Sequence, residues 1–284
     1  MRQHIALIIP SEDGYLKLFP DDLCDYCDLI VIPVSYTINN VMFYDGLNTD
    51  NEIFFNNNFL EKDFDFKGIP EPVYTEVIDS LINKGFDGVL LFTPSKRWSK
   101  TYKNAVKSLQ KVKRRVNYKE SGFKSAVIDT KTFSTAVGCM AVRCAQKIID
   151  GASFEEAVEY ADELADKTRT LVFETYPKDL HSFIRGHAYN FDKEGHRCIR
   201  IAHNKILPIK SKGDEEQGIE KFVRDCVRNL EPDMNYCLCS DKDYLNRMEK
   251  LLTKAMGKEP ISSSPMSAAS AFEFSANSII VTIF

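Results

Sequence analysis

A buried-strand run, a polar turn and an amphipathic helix follow one another without a gap between Gly88 and Val112, and this junction constrains the fold more than any other stretch of the chain. Gly88-Val89-Leu90-Leu91-Phe92 is apolar at consecutive positions, as a strand covered on both faces must be. Pro94-Ser95-Lys96-Arg97-Trp98-Ser99-Lys100-Thr101 makes the turn, and Val106, Leu109 and Val112 carry a helical period beyond it. The junction predicts an α/β sheet with the turn at the carboxyl end of a strand, where ligands of open α/β sheets bind. Hydroxyls at a helix N-terminus have two uses. Ser99 or Thr101 can cap the helix by accepting free backbone N–H groups, or the same corner can hold an anion. Spacing leaves both readings open.

The rest of the chain is read around this junction. Residues 5–9 read as a first strand and residues 29–36 as a second, with Pro33 marking an edge or an irregular exit. Residues 41–44 read as a hairpin return after an Asn39-Asn40 turn. Residues 48–67, rich in Phe, Asn and Asp, read as a helix and a surface loop, with Phe54, Phe55, Phe59 and Phe64 as core anchors or the lip of an apolar cavity. Gly68-Ile69-Pro70-Glu71-Pro72 is a stiff connector, and residues 73–84 put Val77, Ile78, Leu81 and Ile82 on one helical face. Residues 126–130 form another buried strand. Residues 135–150 form an apolar helix closed by Gly151, and Ser153 with Glu156 has the spacing of a capping box. Strands alternating with helices to this point imply a mainly parallel sheet.

Beyond Lys167 the texture changes. Residues 169–175 read as a strand, 178–183 as a short helix, and 198–201 with 205–209 as a hairpin about Ala202-His203-Asn204. Helices are expected over 216–230 and 242–256, strands over 234–239 and 278–284, and residues 262–277 are small and hydroxyl-rich. The division expected is an N-terminal α/β lobe, 1–166, with a mainly parallel sheet flanked by helices, and a C-terminal α+β lobe, 167–284, with a mixed or antiparallel sheet.

Composition excludes several functions. A net charge of −4 and a pI of about 5.8 argue against a general nucleic-acid binder, and Lys111, Lys113, Arg114 and Arg115 suit the solvated C-terminus of a helix. No apolar run approaches the ~20 residues that span a bilayer. Residues 1–9 are too short for a signal peptide and are followed by Pro10-Ser11-Glu12-Asp13, which fits the first strand of a cytosolic protein. Cys139, Cys144 and Cys226 fall in helical patterns, as reduced core thiols do. Cys24-x-x-Cys27 with Cys237-x-Cys239 is a poor match to zinc spacing, so neither metal nor cofactor is expected. The five histidines (His4, His181, His187, His196, His203) sit in no hydrolase, metalloprotease or phosphate-loop motif, and read as surface or turn residues.

In order and texture the chain resembles the DegV family of bacterial fatty-acid-binding proteins along nearly its whole length. The resemblance is carried by Val31-Ile32-Pro33-Val34 with Tyr44-Asp45-Gly46, and by Ser95-x-x-Trp98-Ser99-Lys100-Thr101-Tyr102 with Asn104-Ala105, which is similar to the family's Ser-Ser-x-Leu-Ser-Gly-Thr-Tyr turn. Ala126-Val127-Ile128-Asp129-Thr130, Gly138, Gly151-x-Ser153 and Asn204-Lys205-Ile206-Leu207-Pro208-Ile209 continue it. The resemblance implies two α/β lobes holding a fatty acid between them, no enzymatic activity, hydroxyls of the N-terminal lobe on the carboxylate, and in some members presentation of that carboxylate to a separate kinase-type protein partner that forms an acyl phosphate.

The departures fall on the head-group positions. The family's Asp-Ser after the first strand is Pro10-Ser11, its Thr-Ser-Gln-Pro loop falls at Ile69-Pro70-Glu71-Pro72, and the glycine after Ser99 is Lys100. Its Gly-Gly-Arg segment falls at Gly186-His187-Ala188, and its His-x-Gly-Pro-Gly loop near Ser270-Ala271-Phe272-Glu273-Phe274. The ligand-binding positions that result are Ser95, Lys96, Ser99, Thr101, Ile69 and Ser270. Lys96 is the natural counter-charge, because an ammonium beside Ser95 and Ser99 can hold a carboxylate through charge-assisted hydrogen bonds. The expected function is non-enzymatic carriage of a fatty acid or other long-chain carboxylate. The alternative is a homologue whose pocket has decayed into a protein-interaction module.

Overall fold

The computed structural model describes residues 3–11, 27–45, 64–174, 196–209, 213–274 and 277–284. Its first strand, β1 (Ile5–Pro10), is buried throughout and sends successive side chains to opposite sides: Ile5, Leu7 and Ile9 join one apolar cluster, Ala6 and Ile8 another. β2 (Cys27–Ile32) lies parallel beside it. At Pro33, which has no N–H to give a ladder, the chain leaves this sheet. β3 (Ser35–Ile38), β4 (Val41–Tyr44) and β5 (Phe64–Gly68) form a small antiparallel sheet in the order β4-β3-β5. The second strand expected over residues 29–36 is therefore two strands in two sheets. Asn39 and Asn40, at φ of 49° and 64°, make the tight turn between β3 and β4.

β5 corrects the reading of residues 64–67 as part of a helix and loop, and residues 48–63 lie outside the described residues. Phe64-Asp65-Phe66-Lys67 alternates apolar with polar, the period of a strand, and pairs with β3. Phe54, Phe55 and Phe59 lie outside the described residues.

The chain then alternates. α1 (Glu71–Asn83) leads to β6 (Gly88–Thr93), α2 (Lys100–Val112) and a short α3 (Val116–Ser121) to β7 (Lys124–Asp129), and α4 (Ala136–Ile149) and α5 (Phe154–Lys167) follow. The large sheet of this lobe has the order β2-β1-β6-β7, all parallel. α1 and α2 cover one face through Ile78, Leu81, Ala105 and Leu109; α4 and α5 cover the other through Met140, Cys144, Ala161 and Leu164. Each large apolar side chain so buried contributes about 1.5–3 kcal/mol, which makes β1 and β6 the anchors of the lobe. α5 opens with the expected capping box: Ser153 Oγ accepts the Glu156 N–H, and Glu156 accepts the Ser153 N–H at 2.7 Å.

The C-terminal lobe is a six-stranded mixed sheet. β8 (Arg169–Glu174), β9 (Arg197–Ala202), β10 (Lys205–Ile209), β11 (Tyr236–Ser240), β12 (Ser262–Pro265) and β13 (Ser278–Ile283) stand in the order β10-β9-β8-β13-β11-β12, antiparallel except for β11 beside β12. α6 (Glu215–Asn229) and α7 (Lys242–Met256) cover its outer face through Phe222, Met248 and Leu252. The inner face turns toward the N-terminal lobe, together with α8 (Ala268–Phe274). The short helix expected over residues 178–183 lies outside the described residues.

Candidate functional site

Three backbone segments converge at the carboxyl ends of β6 and β7. The turn after β6 folds on itself, the Trp98 and Ser99 N–H groups donating to the Ser95 carbonyl at 3.1 and 2.9 Å. The loop of residues 130–135 lies beside it, its Thr132 carbonyl accepting the Ser95 N–H at 2.9 Å. Lys131 and Ser134 in this loop have φ of 58° and 57°, a left-handed conformation that residues with a Cβ adopt only where their surroundings hold them. The third segment comes from the other lobe: the β9–β10 turn, with His203 and Asn204 also left-handed.

Asn204 joins all three. Its N–H donates to the Lys131 carbonyl at 2.9 Å, and its side-chain amide donates to Asp129 Oδ2 at 3.0 Å. The Ser95 hydroxyl donates to its Oδ1. Asp129 Oδ1 accepts the Lys96 N–H at 3.0 Å and the Lys131 N–H at 3.1 Å. Asp129, at the end of β7, is thus in direct hydrogen-bonded contact with the turn after β6. Asn204, 109 residues from Ser95, was legible in the sequence only as a turn residue.

The six positions named from the sequence divide by what their polar atoms do. Ser95 gives its proton to Asn204 and accepts the Arg97 N–H at 3.3 Å. Ser99 caps α2, accepting the Tyr102 N–H at 3.2 Å. Thr101 accepts the Ile69 N–H at 3.4 Å. Ser99 and Thr101 thus accept from the backbone and donate to no described residue, which leaves each hydroxyl proton uncommitted among them. Lys96 is more than half exposed, its ammonium 3.6 Å from Asp129 Oδ2. Ile69 is fully buried with the cluster under α1 and α2, its carbonyl accepting from Asn104 Nδ2 at 2.9 Å. Gly68, at φ 69°, allows this close approach, since a Cβ there would meet Thr101 Oγ1 at 2.5 Å. Ser270 is buried on α8, with its hydroxyl 3.0 Å from that of Ser134.

Between the lobes lies a continuous apolar layer, which sequence reasoning placed only in general terms. Tyr36 and Ile38 of β3, Phe133, and the half-buried Phe66 and Trp98 meet Val172, Ile199, Ile201 and Ile280 of the six-stranded sheet. The rings of Phe133 and Phe274 pack edge-to-face at 5.7 Å. Trp98 stands in the same turn as Ser95 and Ser99, so the polar cluster and the apolar layer share an edge.

Lys100 closes the rim. Its ammonium donates to Asp65 Oδ1 at 3.1 Å and to the Phe66 carbonyl at 3.0 Å, tying β5 to α2. Hydrogen bonding from Lys67, with that from Lys100, holds the Asp65 carboxyl below its usual range. Among the described residues no group of three or more His, Cys, Asp or Glu side chains is arranged to hold a metal ion, and no helix is long and apolar enough to cross a membrane. His4 lies 3.6 Å from Asp28 and His203 3.5 Å from Asp166; His181 and His187, with Gly186 and Ala188, lie outside the described residues.

Comparison with known proteins agrees with this architecture. The model of the DegV family of uncharacterised proteins matches residues 13–186. A DegV domain-containing protein of Caldanaerobacter subterraneus subsp. tengcongensis is 27% identical over 172 residues, which is 60% of this chain and 56% of the relative's own length. A stearic-acid-binding protein of Eubacterium ventriosum superposes with a TM-score of 0.82 at 15% identity, covering 99% of this chain and 97% of its own. A DegV family protein of Eubacterium eligens loaded with heptadecanoic acid superposes with a TM-score of 0.78 at 13% identity over 98% of both chains.

Proposed function

The chain belongs to the DegV family, and from that premise we propose that it binds a long-chain fatty acid, or a similar amphipathic carboxylate, between its lobes and carries it without chemical change. The observation that carries this reading is the shared edge at Trp98, where hydroxyls that keep their protons border an apolar layer built by both lobes. Two structural relatives, one a stearic-acid-binding protein and the other loaded with heptadecanoic acid, support it.

In this reading the carboxylate sits at the N-terminus of α2, where the helix dipole favours an anion. Ser99 and Thr101 donate to it, Ser95 and Asn204 fix the turn, and Lys96 supplies outlying positive charge. Ile69 forms the wall where the resemblance has a hydroxyl, and Ser270 with Ser134 borders the opposite side. The acyl chain takes the inter-lobe layer, gaining about 0.8 kcal/mol for each methylene removed from water. The lobes divide between residues 166 and 167, at the end of α5.

Displacement of a fluorescent fatty acid from the delipidated protein by stearate tests the proposal. Saturable one-to-one displacement, with a rise in Tm on adding stearate, is the expected result. Absence of both points to the decayed-pocket alternative.

A further inference from the structure

At the end of the apolar layer away from Ser95 stands a buried Glu–Arg pair. Glu174 closes β8 and Arg197 opens β9, directly opposite in the antiparallel register. The Arg197 guanidinium bonds to Glu174 Oε2. The other oxygen, Oε1, is buried and has no hydrogen-bond partner among the described residues. Ser278, across from Glu174 on β13, gives its hydroxyl to the Phe274 carbonyl instead. A buried carboxyl oxygen without a partner loses about 1–3 kcal/mol of solvation, more if charged, and such atoms are rare enough to need a reason.

The pair faces the layer between the lobes. Side chains alternate along a strand, so Glu174 shares the face of Val172, and Arg197 that of Ile199 and Ile201, all three of which line the layer. Leu171 and Phe173 take the opposite face, under α6 and α7. β9 measures the separation. From Arg197 it runs past Ile199 and Ile201 to the turn whose Asn204 holds Ser95, about 20 Å at the rise of an extended strand. That is the length scale of a long acyl chain.

We infer that Glu174 and Arg197 form a polar subsite at the distal end of the ligand layer, and that it takes the hydroxyl of a fatty acid hydroxylated at or near its methyl end. The inference rests on the fatty-acid reading above. A hydroxyl is the group that suits the site, since it can donate to the uncommitted oxygen or accept from it if that oxygen carries a proton. A second carboxylate would bury a further ionisable acid beside Glu174 at a desolvation cost, and a methyl end would leave Oε1 unsatisfied.

Titration calorimetry on the delipidated full-length protein tests it with hexadecanoic, 16-hydroxyhexadecanoic and 2-hydroxyhexadecanoic acids, and this comparison needs no variant. The expected result is about tenfold tighter binding of the 16-hydroxy acid than of the other two, the scale of one hydrogen bond that satisfies a buried polar atom. The double variant Glu174→Met/Arg197→Met replaces a buried pair by apolar side chains, a change that folded proteins tolerate, and should prefer hexadecanoic acid. Equal or weaker binding of the 16-hydroxy acid by the wild type, with hexadecanoic acid bound, overturns the subsite alone. So does a preference that survives in the folded double variant. Binding of none of the three acids overturns the fatty-acid reading and the subsite together.

Discussion

Asn204, on a hairpin turn of the C-terminal lobe, donates its side-chain amide to Asp129 at the end of a strand in the N-terminal lobe, and accepts the Ser95 hydroxyl with the same group. One side chain therefore fixes the turn after β6 and ties the lobes together. At φ 58° its backbone already suits glycine, so Asn204→Gly removes the side-chain bonds without straining the turn. The expected cost is about 1–3 kcal/mol in urea denaturation. In a double-mutant cycle with Ser95→Ala, a coupling of at least ~0.5 kcal/mol is expected; additive effects would separate the two residues.

Ser99 and Ser153 allow capping and ligand binding to be told apart. Both cap helices, so Ser99→Ala and Ser153→Ala should each lose about 1 kcal/mol of stability. Only Ser99→Ala should weaken fatty-acid binding, by roughly tenfold. Thr101→Val should weaken it similarly, and because it also leaves the buried Ile69 N–H without its acceptor it should cost about 1–3 kcal/mol of stability. Lys96→Ala, with its charge exposed and beside Asp129, should weaken binding by only a few-fold, the scale of an exposed ion pair. Equal affinities across the wild type, Ser99→Ala and Thr101→Val would remove the head group from this corner.

Much of this corner was legible in the sequence, because its parts are local. The run from Gly88 to Val112 carries its own strand, turn, cap and helix, and Asn39-Asn40 and Ser153–Glu156 are signals complete within a few residues. What was not legible depends on distance along the chain. Nothing near Asn204 announces Ser95 or Asp129, and Glu174 and Arg197 are each unremarkable until two antiparallel strands set them opposite. β5 was missed for another reason, since the period-two pattern of residues 64–67 ends a segment whose Asn and Asp content reads as loop.

Burial pushes the Glu174 carboxyl from its ordinary 4.5 up to about 8, against the opposing pull of Arg197. The folded chain thus holds this proton where the unfolded chain has released it. The stability this group contributes is complete below about pH 4.5 and is lost as pH rises through about 8. Urea denaturation from about pH 5 to pH 8.5 should show a decline in the wild type that is shallower in Glu174→Gln. Parallel curves would place the carboxyl in its normal range.

Seven of the eight cysteines are described, and all seven are buried. Burial also raises the Cys139, Cys144, Cys198 and Cys226 thiols, and a buried thiol in apolar surroundings is inert. Ellman's reagent at about pH 8 should label none of these seven thiols in the native protein and all of them after denaturation. Labelling of several native thiols would show that the core opens more readily than its packing implies.

Mass spectrometry of an organic extract of the purified protein tests fatty-acid carriage most directly. A long-chain fatty acid at close to one molecule per chain is expected, with a hydroxylated species enriched if the Glu174 subsite operates. An extract empty of acyl chains, from a protein whose Tm no fatty acid raises, would contradict it.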